Sequence, residues 1–149
     1  MSVRRRTRRL KSEAGAELVE MALTLPLLLL VLLAIVDFGL LFQRTEIVHN
    51  AAREGARFAA RPTSTDADVQ ARVQDYMTTS GLPAGGSVVV TPTTFSAAGR
   101  TFTARQVDVF HFHDFTFLGP FAGWFGGSFS SITLNGQATM RLETSTSGS

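Results

Sequence analysis

The segment Met21–Phe42, MALTLPLLLLVLLAIVDFGLLF, decides how the rest of the chain is read. Asp37 is its one ionisable residue. As an α-helix its 22 residues extend about 33 Å, close to the hydrocarbon thickness of a bilayer. The core Leu23–Val36 is apolar on every side except at Thr24, whereas the core-facing helix of a soluble domain normally carries a polar stripe. A membrane-spanning helix is the expectation.

The flank before this segment is basic. Arg4, Arg5, Arg6, Arg8, Arg9 and Lys11 precede Gly15 against Glu13 alone, so residues 1–15 carry +5 and residues 16–149 carry −3, giving the chain's net +2. The high isoelectric point therefore belongs to a short tail. The mildly acidic remainder has no basic stripe, so nucleic acid is not an expected partner. A basic flank before an apolar run sets topology. It places the N-terminus in the cytoplasm and the C-terminal portion outside, with one pass through the inner membrane. A secretory signal would have a shorter apolar region and a small-x-small cleavage site at its end. Here the run continues into DFGLLFQRTEIV, which favours a permanent anchor. The residues after Arg8 and Arg9 do not complete a twin-arginine signal. The chain has no cysteine, which excludes disulfides, thiolate catalysis and cysteine metal sites.

Two residues within the span stand out. Pro26 removes the hydrogen bond to the carbonyl of Ala22 and is expected to bend the helix, although membrane helices also tolerate proline. Asp37 lies near the outer end, where it either reaches interfacial water or pairs with a neighbouring subunit. Beyond the span, QRTEIVHNAAREGARFAAR (43–61) continues in helical register. Ile47, Val48, Ala51, Ala52, Gly55, Ala56 and Ala59 recur at spacings of three and four. Ala51, Ala52, Gly55, Ala56 and Ala59 form a small-residue face that lets another backbone approach closely. One helix from about Ala16 to Ala60 is expected, ended by Pro62.

Residues 63–79 read as a second helix, capped by Thr65 or Ser64, with Asp66 and Asp68 at its positive end. Val69, Val73, Tyr76 and Met77 form its buried stripe. The rest reads as an antiparallel sheet of about three strands. SVVVTPT (87–93) is short. TARQVDVFHFH (103–113) alternates at Val107 and Val109, then shifts to Phe110 and Phe112, which suggests a bulge or bend. SITLNGQATMRL (131–142) places Ile132, Leu134, Ala138, Met140 and Leu142 on one face and polar residues on the other. That is the pattern of a sheet with one face on a core and one face wet.

Ten of the fourteen aromatic residues fall between Phe95 and Phe129. This crowding marks residues 110–129 as an aromatic loop, either a local mini-core under a long connection or a subunit-contact or membrane-facing patch. Signals of catalysis are lacking. His111 and His113 share a strand face, but two imidazoles fall short of a metal site, and Asp108 and Asp114 have the opposite parity. Ser128, Ser130 and Ser131 lack a base and an orienting group. No catalytic residue, cofactor or metal is expected, and the chain is read as non-enzymatic.

GAELVEMALTLPLLLLVLLAIVDFG, followed by NAAREGARFAA, resembles the TadE-like proteins, minor pilins or pseudopilins of tight adherence (Tad/Flp) pilus systems. The matching features are Gly15, Glu20, Ala22, Pro26, Asp37-Phe38-Gly39 and Ala51 to Arg57. Leu40 departs from the pattern, since many relatives carry a basic residue there. The resemblance implies a prepilin-type leader, residues 1–15, cut between Gly15 and Ala16 by a prepilin peptidase. Glu20 would then be the fifth residue of the mature chain and would meet the new α-amino group of a neighbouring subunit during assembly. A glutamate snorkelling at the interface is the simpler alternative. The implied partners are membrane lipid, the peptidase, other pilins or pseudopilins and the Tad assembly machinery.

The expected architecture is α+β and pilin-like. A transmembrane helix (16–42) extends through residues 43–62 into a small extracytoplasmic domain (63–149) with a second helix and the sheet. The expected role is pilus assembly through helix-mediated subunit contacts. A membrane-anchored extracytoplasmic binding or adhesion module is the alternative.

Overall fold

In the computed structural model, residues 6–124, 126–127 and 131–143 are described, with side chains from Gly15 onward except Ala97. The expectations on Arg4, Arg5, Ser128, Phe129 and Ser130, and on the side chains of residues 6–14, lie outside this set. The described elements are α1 (Arg6–Ala59), α2 (Asp66–Thr79), β1 (Ser87–Ala97), β2 (Arg100–Asp114), α3 (Leu118–Trp124) and β3 (Ser131–Arg141). Helix α1 begins at Arg6, ahead of the expected Ala16, and runs through Pro26 to Ala59 as one helix.

Helix α2 starts on a capping box. The Thr65 hydroxyl accepts from the Asp68 N–H, and the Asp68 carboxylate accepts from the Thr65 N–H. Two otherwise orphaned donors are thereby satisfied, and the carboxylates of Asp66 and Asp68 sit at the positive end of the helix dipole. Hydrogen bonding to Thr65 holds the Asp68 carboxyl below its usual range. Val69, Val73 and Met77 are buried, with Tyr76 packed at the edge of the same core.

The strands form an antiparallel sheet in the order β1-β2-β3. The expected bulge near Val109 and Phe110 is not there. Pairing runs unbroken from Ser87↔Phe110 to Ala97↔Arg100 and from Ala104↔Arg141 to Asp114↔Ser131. The alternation never shifts either: Val107, Val109, His111 and His113 are buried, while Phe112 is 66% exposed. Two histidines take the inward positions that the aromatics were expected to take. Strands β1 and β2 also run longer than expected, joined by a tight turn in which Ala98 and Gly99 both have positive φ.

Helices α1 and α2 cover the inward face of the sheet. The core joins Val48, Ala51, Ala52, Ala56 and Ala59 of α1 to the α2 stripe and to Val88, Val107, Val109 and Leu134 of the strands. Coverage is confined to the middle of β3. Leu134 and Gly136 are buried and Ala138 is half-buried, but Ile132 and Met140, on the same parity, are exposed. Gly136 marks the closest approach of β3 to α1, since a Cβ there would lie 2.6 Å from the Val48 carbonyl oxygen. Strand β3 therefore rests on helix backbone, a contact only glycine permits. At the far end, Arg105 ties the sheet to the turn between the helices. It donates to the Ser64 carbonyl at 3.0 Å and to the Ser64 hydroxyl at 3.1 Å, and pairs with Asp66.

The segment expected to be an aromatic loop is divided. Residues 110–114 belong to β2, and Leu118–Trp124 form α3. Among the described residues, α3 buries no side chain of its own. The segment lies against α1, with Thr116, Phe117, Leu118, Pro120 and Phe121 across a cleft from Pro26, Leu29, Leu30 and Leu33.

Candidate functional site

Helix α1 has two halves with different surroundings. From Val48 onward its small-residue face is sealed in the domain core. From Gly15 to Leu29 every residue is exposed, and Leu32, Ile35 and Val36 beyond are exposed too. The apolar part is thus not the core helix of a soluble domain. One long apolar helix, bare along its N-terminal half and fused to a small domain, fits a single-pass membrane protein.

The sequence-derived candidates distribute over these halves. Gly15, Ala16 and Glu20 all lie on the bare half, and a Cβ at Gly15 would meet nothing within 4 Å. Pro26 lines the cleft facing α3. Asp37 marks the junction and is completely covered. Ala51, Ala52, Gly55, Ala56 and Ala59 are buried inside the chain's own domain. A Cβ at Gly55 would lie 2.5 Å from Val73 Cγ2 and 3.1 Å from Val107 Cγ1, so α1, α2 and β2 converge there.

Between these small residues, Glu54 acts as a clamp. Its carboxylate accepts from Arg57 one turn along α1 and from Arg72 on α2, with Arg72 Nη2 at 3.0 Å. Although partial burial opposes ionisation, these two guanidinium groups hold the Glu54 carboxyl below its usual range. The AAREGAR segment is therefore accounted for within the chain. Its alanines and glycine admit the neighbouring backbone, and its glutamate fixes the neighbouring helix.

Asp37 finds partners within its own chain. Its carboxylate accepts three consecutive main-chain N–H groups of one segment: Thr116 at 3.1 Å on Oδ1, Phe117 at 2.9 Å and Leu118 at 2.7 Å on Oδ2. These amides lead into α3, whose first backbone donors have no partner within the helix. A carboxylate reaching from another helix fills that gap with charge-assisted bonds. The expectations of interfacial water and a neighbouring subunit did not include this contact within the chain. The sequence hid it because the two partners are 79 to 81 positions apart and one of them is main chain.

The junction extends through aromatic and basic groups. Phe38 meets Phe115 edge-on with centroids 6.2 Å apart, and Phe115 meets His113 at 5.1 Å. Arg44 Nη1 donates to His113 Nδ1 at 3.0 Å, which puts the imidazole proton on Nε2 in the neutral ring. Burial lowers the pKa of His113, Arg44 lowers it further, and Asp37 and Asp114 oppose the shift. His111 and His113 thus serve in the packed face of the sheet. Among the described residues no group of three His, Cys, Asp or Glu side chains is placed to hold a metal ion. Arg44, Arg105 and Gly136 were not singled out from the sequence. Gly136 alone left a trace there, since it falls on the apolar parity of an otherwise alternating strand.

No curated protein and no solved structure matches the chain significantly. One family does match, under the description TadE-like protein, over residues 15–57. The match takes in Gly15, Glu20, Pro26, Asp37 and the AAREGAR segment, less than a third of the chain and the same motifs that carry the resemblance read from the sequence. From Gly15 at its bare end to the core of the domain, helix α1 is similar to the TadE-like family.

Proposed function

We propose that this chain is a minor pilin or pseudopilin of a Tad-type pilus system, cut between Gly15 and Ala16 and assembled through the bare half of α1. The TadE-like match suggests a Tad pilus-associated protein. The observation that supports the finer role is the contrast along α1. The small-residue face is consumed within the domain, whereas residues 15–29 are all exposed, with only Pro26 and Leu29 facing α3 across the cleft. Such a helix is a handle that lipid can cover before assembly and neighbouring subunits can cover after it. The role is non-enzymatic, and the cytoplasmic N-terminus follows from the basic flank.

On this reading Glu20 stands five residues into the mature helix, exposed on the bare half. An ammonium on a neighbouring subunit's new N-terminus would relieve the desolvation each charge suffers near lipid. The test is deletion of the chain in a cell that makes Tad-type pili, with pilus counts and co-purification of the processed protein with pilins. Loss of pili and recovery of a pilin complex are expected. Full piliation without the chain, together with no pilin in the purified material, argues against the role.

A further inference from the structure

The cleft between α1 and α3 has a volume of about 270 Å³ and is lined by Pro26, Leu29, Leu30 and Leu33 on one side and Phe117, Leu118 and Phe121 among those on the other. We propose that α3 re-enters the membrane leaflet on the domain side, beside the span, and that this cleft seats a lipid acyl chain.

The depth argument comes first. Counted along α1, Leu33 lies about 6 Å and Pro26 about 16 Å below Asp37. A membrane boundary drawn below Pro26, so as to leave α3 in water, would strip the span to Met21–Leu25, far too short to cross a bilayer. If α1 spans, its Leu29, Leu30 and Leu33 are in hydrocarbon. The α3 residues across the same cleft share that depth.

The composition agrees. No charged residue occurs between Asp114 and Arg141. Trp124 is 85% exposed, Phe117 40% and Phe121 39%, all on the segment that would face acyl chains or the headgroup boundary. Tryptophan is enriched at that boundary.

The backbone agrees as well. Irregular chain at membrane depth is tolerated only when its polar groups find partners in protein. The Thr116, Phe117 and Leu118 amides are taken by Asp37, and Pro120 has no N–H. The Gly126 and Gly127 amides bond to the Gly123 and Ala122 carbonyls. A carboxylate in the span is thereby explained, because it supplies the acceptors that a re-entrant turn needs. Lipid is the occupant because the cleft opens onto the leucine surface of α1, which a span must present to acyl chains.

Trp124 is the sole tryptophan of the chain, so its emission reports the depth of α3 directly. The full-length chain is reconstituted at high dilution into phosphatidylcholine vesicles and tested for flotation. Trp124 emission is then quenched with brominated acyl chains or with aqueous iodide. A phosphatidylcholine bearing a photoactivatable acyl chain maps the cleft by mass spectrometry. Blue-shifted emission quenched by bromine rather than iodide is expected, with photolabel on residues 117–121 or 26–33. Quenching by iodide alone overturns the proposal. Shielding from both quenchers, with cross-links between copies at Trp124, overturns it in favour of a second chain in the cleft. A chain that does not float overturns the span and the proposal together. None of these outcomes bears on leader cleavage.

Discussion

The carboxylate of Asp37, in α1, accepts the main-chain N–H of Leu118, at the start of α3, at 2.7 Å, and takes the two preceding amides as well. This bond joins the span to the aromatic segment and sets where α3 begins. Replacing Asp37 with alanine removes both acceptor oxygens and with them all three hydrogen bonds. A hydrogen bond to a charged group contributes about 1.5–3 kcal/mol, and about 1.4 kcal/mol is a tenfold change in an equilibrium. Hydrogen exchange at Thr116, Phe117 and Leu118 is expected to speed up at least about tenfold on those figures, with little change at Val107 or Val109. Unchanged protection of the three amides in Asp37→Ala would show that the segment is held by its apolar contacts alone.

Gly136 and Gly39 offer an internal contrast. Gly136→Ala drives a Cβ against the Val48 carbonyl at 2.6 Å, where helix backbone cannot yield easily. Overpacking of this kind costs about 1–3 kcal/mol. Gly39→Ala meets nothing within 4 Å and replaces a poor helix former with the best one. Denaturant titration in detergent should therefore show a lower midpoint for Gly136→Ala and an equal or higher one for Gly39→Ala. Equal midpoints for both variants would mean that β3 does not rest on α1 as described.

His113 gives the fold a pH dependence of defined sign. In the unfolded chain its imidazole takes a proton near pH 6.5, whereas burial and Arg44 lower that value in the folded chain. The unfolded state then binds more protons between the two values. Stability from this residue is fully present above pH 6.5 and is lost as pH falls toward the lowered value. His113→Gln keeps an acceptor for Arg44 without a titrating ring, and its unfolding midpoint should depend less on pH across that window. A steeper dependence in the variant would assign the effect to another group.

Glu20→Gln separates assembly from folding. Residue 20 is exposed and remote from the domain core, so the variant should fold and insert as the parent does. Loss of a net attraction of about 1.4 kcal/mol lowers association about tenfold, which cross-linking to pilin partners and pilus counts can read. Normal assembly by a fully processed variant would favour a glutamate that merely snorkels to the membrane surface.

Much of this architecture was legible in the sequence because it depends on local periodicity. The apolar run, the three-four spacing of Ala51 to Ala59, the Thr65 cap and the alternation of β3 each report a force acting within a few residues. The misreadings arose where a distant partner decides. His111 and His113 look like outward polar residues until α1 is laid across β2, with Arg44 brought to His113. The apparent shift to Phe110 and Phe112 then proves to be a wet face carrying two aromatics. Asp37 and residues 115–124 were both noticed, but only the folded chain shows that each answers the other. Leader cleavage leaves no mark on a folded chain, so Gly15 rests on motif chemistry.

The state of the N-terminus bears most directly on the proposed role. The full-length chain is co-expressed with the prepilin peptidase of its own system, and the membrane-extracted protein is measured by intact mass and N-terminal sequencing. The expected result is a chain beginning at Ala16, with the basic tail removed, and an uncut chain for Gly15→Val. A wild-type protein of unchanged mass beside a peptidase that demonstrably cuts another pilin would contradict the pilin assignment.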